Sequence, residues 1–300
     1  MKHSSFCLEG SKFDLSNDQN AESPNMRADS MQKVGIHGVP RSGTSWLGEI
    51  VNSSPNVSYK FQPLFSYEFK DCLQLDSTKN EVDEFFRAIH ADRLSDFINR
   101  KSDRDKKLLP VFPKDKITHI VYKEVRYHHL VRHLLNVHRG LQIVGIIRNP
   151  IDVINSWYCA PREFRKDLGW NIMEEWEFAE KKNQNRAEEF FGYQKWKEVA
   201  LEFMTLKQDF PDRFMIVNYN DLVFNTLPIV AELFEFLQIP FTSQSKNFCS
   251  ASTTSHQEGT YTVFKEMHKN SNKRRLPLAI VEAIRKDLEG SAELLEFAES

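Results

Sequence analysis

The stretch Val34-Gly35-Ile36-His37-Gly38-Val39-Pro40-Arg41-Ser42-Gly43-Thr44-Ser45-Trp46-Leu47 constrains the fold more than any other part of the chain. An apolar run, Val34 to Ile36, enters a turn rich in Gly, Pro and hydroxyls, and Trp46, Leu47, Ile50 and Val51 then recur at helical spacing. The reading is strand, loop, helix. Backbone N–H groups in such a loop point inward and add to the positive end of the following helix, so the geometry favours a phosphate or sulfate. The spacing of Gly38 and Gly43 matches a Walker A loop, but Thr44 stands where that loop has its lysine, and Ser45 takes the hydroxyl position. A nucleotide kinase would keep that lysine. Arg41 instead puts a fixed cation earlier in the loop.

Further along, Val57 to Phe61 reads as a short strand after the helix breaker Asn52-Ser53-Ser54-Pro55-Asn56, and Val82, Phe85, Phe86 and Ile89 mark a helix. Lys101 to Lys107 reads as a charged connector. Ile117 to Lys123 is the next expected strand, and Tyr127 to Val137 a helix. Leu141 to Ile147 is almost continuously apolar, as suits a parallel strand covered on both faces. It ends abruptly at Arg148-Asn149-Pro150, with Pro150 placed to begin a helix. Glu174 to Lys207 reads as one long or two consecutive helices, Phe214 to Val217 as a strand and Pro228 to Leu237 as a helix. Strands separated by helices give βαβ units, hence an α/β fold with a mostly parallel sheet between two helical layers.

With 40% hydrophobic residues in 300, the chain can bury a large core. Its formal charge of -2 argues against broad nucleic-acid binding, so any anion site must be a local concentration of Arg and Lys. Residues 1–31 are polar without sustained periodicity, which predicts a flexible tail ahead of one domain at 32–300. No apolar run is long enough to span a membrane, and the N-terminus lacks the apolar core of a signal peptide. Cys7, Cys72, Cys159 and Cys249 are scattered, without metal-ligand spacing or a disulfide framework, which points to a reducing, cytoplasmic setting and no metal.

In an open parallel sheet, ligands sit beyond the carboxyl ends of the strands. That places the turns at Arg41 and Arg148 on one edge, as a ligand with two phosphate groups would require. Ser156, two helical turns beyond Arg148, can add a hydroxyl to the second anion.

At this point the sequence resembles the sulfotransferases that use 3′-phosphoadenosine 5′-phosphosulfate. Val39 to Leu47 is similar to their 5′-phosphosulfate loop, Arg148 through Ser156 to their 3′-phosphate motif, and Val217-Asn218-Tyr219-Asn220-Asp221-Leu222 to their Tyr-Glu-Asp-Leu segment. The resemblance runs from about Val34 to Leu237 and implies a P-loop-like fold. It also implies metal-independent, in-line transfer of a sulfuryl group to a hydroxyl or amine acceptor. Arg41 in the loop and Lys123-Glu124-Val125-Arg126 resemble the carbohydrate and tyrosylprotein branches, implying a small-molecule or carbohydrate acceptor. By correspondence, Arg41, Ser42, Gly43, Thr44 and Ser45 would hold the 5′ end of the donor, Trp46 would stack on adenine, and Arg148 with Ser156 would bind the 3′-phosphate. Arg41 and Lys123 would face the transferring group.

One departure matters. Gln62 stands where the carbohydrate branch has a glutamate proposed as catalytic base, and an amide cannot accept a proton usefully at neutral pH. Glu124, Glu68, His128 and His129 are the replacements considered, with Glu124 chosen for its place beside Lys123. The missing glutamate also leaves open a catalytically weak module that binds nucleotide or sulfated ligands. Arg41 and Lys123 argue against it, because a passive binder needs no cations at the transferring group. Tyr67, Phe65, Phe69, Trp157, Trp170 and Trp176 are candidates for the acceptor pocket, though aromatic residues at such spacing more often serve the core.

Overall fold

The computed structural model describes residues 30–254, 263 and 275–298. Its centre is a sheet of five strands, β1 Gln32–His37, β2 Val57–Phe61, β3 His119–Glu124, β4 Leu141–Ile147 and β5 Phe214–Asn218. They run in the order β2-β3-β1-β4-β5 with every pairing parallel. Parallel neighbours need crossover connections, and the intervening segments are helical. Helix α1 (Thr44–Asn52) follows β1. Helices α2 (Lys79–Ala91), α3 (Asp96–Asn99) and α4 (Lys101–Asp105) lie between β2 and β3, and α5 (Val131–Val137) precedes β4. Then come α6 (Pro150–Tyr158), α7 (Ile172–Glu175), α8 (Glu180–Asn183) and α9 (Tyr193–Asp209). After β5 the chain forms α10 (Tyr219–Phe224), α11 (Thr226–Phe236), α12 (Ser243–Thr254) and α13 (Leu278–Glu289).

The two-residue period of a strand sends neighbouring side chains to opposite faces, and each face carries its own core. Val34, Ile36, Val121, Val144 and Ile146 pack with Trp46, Leu47 and Ile50 of α1 and Val230, Leu233 and Phe234 of α11. On the other face Ile120, Tyr122, Ile143 and Ile147 pack with Phe86 and Ile89 of α2, Ile154 and Trp157 of α6 and Phe203 of α9. This is the expected layering of helix, sheet and helix.

The same packing creates a crevice. From β1 the chain turns into α1 on one face, whereas from the adjacent β4 it turns into α6 on the other, so the two loops part above the sheet. A strand order that reverses in this way opens a ligand site at the carboxyl edge.

Three expectations need correction. The stretch Glu174 to Lys207 is neither one helix nor two consecutive ones. Ala179, Gln184 and Asn185 have positive φ, and Gly192 at φ 88° comes so close to Glu177 that a Cβ would lie 2.7 Å from its carbonyl. Asn183 ties the resulting loop, donating to the Phe178 and Phe191 carbonyls while its own carbonyl accepts from the Phe191 amide. The connector at Lys101 to Lys107 contains α4, whose first turn is held by Asp96 accepting from both the amide and hydroxyl of Ser102. The expected N-terminal tail lies outside the described residues up to Asp29, while Met31 already packs against the core. Cys72 is disulfide-bonded, so the cysteines are not all unpaired, whereas Cys159 and Cys249 are free thiols. No described helix is long and apolar enough to cross a membrane.

Candidate active site

The loop Gly38–Gly43 crosses the carboxyl edge between β1 and α1. Ser42 closes it, its amide and hydroxyl both donating to the Val39 carbonyl at 3.1 and 2.6 Å. Two positions need glycine's lack of a side chain. A Cβ on Gly38 would stand 2.7 Å from the Ile146 carbonyl oxygen, and Gly43 has φ 97° with the Tyr219 ring where a Cβ would be. Arg41 is different. It holds φ 76° without being glycine, an energetically unfavourable conformation that persists only where surrounding contacts impose it.

Those contacts come from α6 and the turn after it. Arg41 Nε donates to Ser156 Oγ at 3.1 Å, and its Nη1 lies 3.6 Å from Glu163 Oε1. Arg148, at the end of β4, donates to the Arg41 carbonyl at 3.2 Å and lies 3.6 Å from Asp152. Its guanidinium stacks 4.5 Å above the Tyr219 ring, and its buried Nε has no hydrogen-bond partner among the described residues. Asn149 caps α6 by accepting from the Ile151 amide, with Pro150 in the first turn, so the Arg-Asn-Pro sequence aims Arg148 toward the loop. Tyr219 begins α10, capped by Asn218, and touches both basic turns: its ring fills the space beside Gly43 and underlies Arg148.

The cleft so formed is lined by Arg41, Gly43, Thr44, Ser45, Trp46, Lys123, Arg148 and Ser156 among the expected residues. Ser42 is fully buried behind the loop and serves its closure. Trp46 is 5% exposed, and its indole N–H donates to Ser252 Oγ on α12. Lys123 is buried, with Nζ 4.3 Å from the centre of the Phe61 ring. Burial pushes its pKa down to about 7, partly offset by Glu124 and Glu163.

Glu124 stands apart from the cleft. It is the residue after Lys123 on β3 and therefore points to the opposite face, completely buried, with Oε1 accepting from the Leu64 amide at 2.8 Å. Burial raises its pKa to about 8, a shift that would suit a base, so it is the side chain's place outside the cleft that keeps it from an acceptor there. Among the described lining residues, neither Glu124 nor Glu68, His128 or His129 appears. His128 is buried against His37, their Nδ1 atoms 3.1 Å apart. Gln62 does line the cleft, its carbonyl accepting from Arg126 Nη1 at 3.3 Å.

None of the six aromatic residues considered for the acceptor lines this cleft. Trp157 and Phe69 are buried core, Trp170 and Trp176 pack against that core, and Tyr67 is fully exposed. Phe65 stacks beneath the Arg126 guanidinium at 4.0 Å. Phe61 and Phe191 line the cleft instead, together with Arg100, Arg126 and Glu163. Glu163 escaped the sequence reading because Ala160-Pro161-Arg162-Glu163 carries no periodic signal, only a turn signature.

A parallel α/β sheet with a glycine-bearing, cation-rich loop at its switch point and no Walker lysine defines a P-loop-like group-transfer protein. The sulfotransferase domain family matches residues 31–289, and the chain belongs to that family. It is a sulfotransferase, an enzyme that moves a sulfuryl group from 3′-phosphoadenosine 5′-phosphosulfate to an acceptor, which sets aside the passive-binding alternative. Among similar solved structures, a sulfotransferase from Alicyclobacillus acidocaldarius is 14% identical, covering 88% of this chain and 94% of that one, with a TM-score of 0.52. Retinol dehydratase in complex with androsterone and the inactive cofactor PAP is 14% identical over 91% and 82%, with a TM-score of 0.51. A mouse sulfotransferase complexed with PAP is 14% identical over 90% and 88%, at 0.47. Identities this low speak for the fold alone. A search of curated proteins returns no match.

Proposed function

We propose that the donor lies along the carboxyl edge with its 5′-phosphosulfate in the loop Arg41–Ser45 and its 3′-phosphate at Arg148 and Ser156. The observation that carries this reading is Arg148: a partly buried guanidinium, braced on Tyr219 and on the Arg41 carbonyl, whose buried Nε lacks a hydrogen-bond partner among the described residues in a cleft rich in Arg and Lys. A buried donor without a partner is costly, and a phosphate oxygen satisfies it. Ser156 sits between the two anion positions, already bonded to Arg41, so one hydroxyl links both halves of the donor site. Thr44 and Ser45 open α1, where amides and the helix dipole favour the 5′ end, while Trp46 offers an aromatic edge to the base.

In the transfer step the acceptor oxygen forms a bond to sulfur as the bond from sulfur to the bridging oxygen breaks, and charge accumulates on that leaving oxygen. Arg41 supplies fixed positive charge there, and Lys123 adds a second charge once the bound anion holds it protonated. We extend the proposal to a hydroxyl or amine on a small molecule or carbohydrate, supported by the likeness of Arg41 and of Lys123 to Arg126 to the carbohydrate and tyrosylprotein branches. A domain beginning at about residue 32, without nucleic-acid partners, accords with the net charge of -2. A cytoplasmic setting draws support from the free thiols of Cys159 and Cys249 and is opposed by the disulfide at Cys72; thiol counting on freshly isolated protein decides between them.

The test compares 3′-phosphoadenosine 5′-phosphate with AMP by calorimetric titration. Charge-assisted bonds to Arg148 are worth about 1.5 to 3 kcal/mol, so the first should bind roughly ten- to a hundredfold more tightly. Arg148→Ala should erase most of that preference. A variant that still separates the two nucleotides as well as wild type would place the 3′-phosphate elsewhere.

A further inference from the structure

We propose that Glu163 is the general base of this enzyme, taking over from the far wall of the cleft the role that Gln62 cannot fill. The proposal rests on the donor placement given above. Glu163 contributes the one carboxylate among the described residues that line the cleft. Its Oε1 faces Arg41 Nη1 at 3.6 Å, while Oε2 is buried and without a hydrogen-bond partner among the described residues. Its charge is also felt by Lys123 across the cleft and by Lys182. A carboxylate that lines the same cleft as the two cations expected at the transferring group, with one oxygen paired to Arg41 and the other without a hydrogen bond, is suited to receive a proton from an acceptor held there.

The turn that presents Glu163 is closed by its own hydrogen bonds and by a buried ring. After α6 the Glu163 and Phe164 amides both donate to the Ala160 carbonyl, at 2.9 and 2.8 Å. Phe164 is 1% exposed and packs edge-on against Trp157 and Trp170, with ring centres 5.1 and 5.8 Å away. The buried aromatic thus fixes the backbone one residue from the carboxylate, as a catalytic group requires. The other candidates fail on position: Glu124 lies on the opposite face of β3, and His128 is enclosed with His37. In the step, the acceptor proton passes to the Glu163 carboxylate as the acceptor oxygen bonds to sulfur. The bridging oxygen leaves with its electron pair on 3′-phosphoadenosine 5′-phosphate, and the proton is then lost to water.

The test uses the full chain with labelled 3′-phosphoadenosine 5′-phosphosulfate and water as acceptor, reading nucleotide release, alongside titration with 3′-phosphoadenosine 5′-phosphate. Glu163→Gln keeps the shape and a carbonyl for Arg41 but removes basicity. Release should fall by about a hundredfold or more. Nucleotide affinity should stay within about threefold of wild type. Adding Gln62→Glu to Glu163→Gln returns a carboxylate to the cleft and should restore part of the rate. Wild-type release from Glu163→Gln overturns the proposal. So does a parallel loss of release and affinity, the behaviour of a residue that only seats Arg41. If wild type itself neither binds the nucleotide nor releases it, the donor reading falls first and this assignment with it.

Discussion

Arg41 concentrates the site's demands in one residue. Its left-handed backbone, φ 76°, is what glycine would adopt freely, yet its guanidinium is held by Ser156 and Glu163 from an element more than a hundred residues away. Stability and activity therefore make opposite requests at this position. Arg41→Ala loses the cation and keeps the backbone strain, whereas Arg41→Gly loses the cation and removes the strain. Both should lower turnover by about a hundred- to a thousandfold while weakening donor binding far less. The glycine variant should be the more stable of the two by roughly 1 kcal/mol in denaturant unfolding. Equal stabilities would mean that the positive φ is not maintained in the variants. A collapse of donor affinity with turnover intact would make the loop a binding device only.

At the scale of elements, the end of β3 shows how alternation divides labour. Lys123 and Glu124 are adjacent in sequence, but one enters the cleft and the other is sealed beneath the Pro63–Phe65 turn, bonded to the Leu64 amide. Lys123→Met should cut turnover by about a hundredfold, since it removes a charge aimed at the leaving oxygen. Glu124→Gln keeps an acceptor for Leu64 and should leave turnover nearly unchanged. The two residues also differ in pH behaviour. Burial lowers Lys123 to about pKa 7, and a bound phosphosulfate would raise it again, so binding must take up a proton above pH 7. Nucleotide affinity should be flat below pH 7 and decline above it by up to about tenfold per unit. Calorimetry in buffers of different ionisation enthalpy measures that uptake directly, and Lys123→Met should abolish it.

Across the whole molecule, buried histidines set the acid limit. His37 ends β1 directly below the loop, with Nε2 3.0 Å from the Tyr122 hydroxyl and Nδ1 against His128. Burial lowers His37 to about pKa 3 and holds His128 well below its ordinary range. Both groups are neutral in the folded protein but gain protons on unfolding below about pH 6.5, so their contribution is complete above that pH and is lost as pH falls. Glu124 acts in the other direction. Its folded pKa of about 8 makes stability decline as pH rises from its unfolded value toward 8. Two histidines against one carboxyl leave a net loss on acidification, reinforced by His90, His119 and His129, which burial also lowers. Unfolding free energy between pH 6.5 and 5 should therefore drop by about 1.4 kcal/mol per pH unit or more. A flat profile in chemical denaturation over that range would show the histidine pair to be protonated or hydrated in the native state.

The strand, loop and helix from Val34 to Val51 were legible in the sequence, as were the apolar run of β4, the proline that opens α6 and the arginines at both turns, because each depends on local periodicity, capping or backbone sterics. The two-residue period of β3 also held the information that Lys123 and Glu124 cannot serve one cleft, although their adjacency suggested that they could. Tertiary structure decided what adjacency and periodicity do not encode. Strand order brings β4 beside β1, and only then do Arg148 and Tyr219 meet the loop around Gly43. The stretch Glu174 to Lys207 breaks because Gly192 must pass close to Glu177, a contact between distant points of one segment. Glu163 reaches Arg41 by the same logic: its turn has no pattern of its own, and its place is set by the burial of Phe164 against α6 and the sheet-wide choice of which face α6 covers.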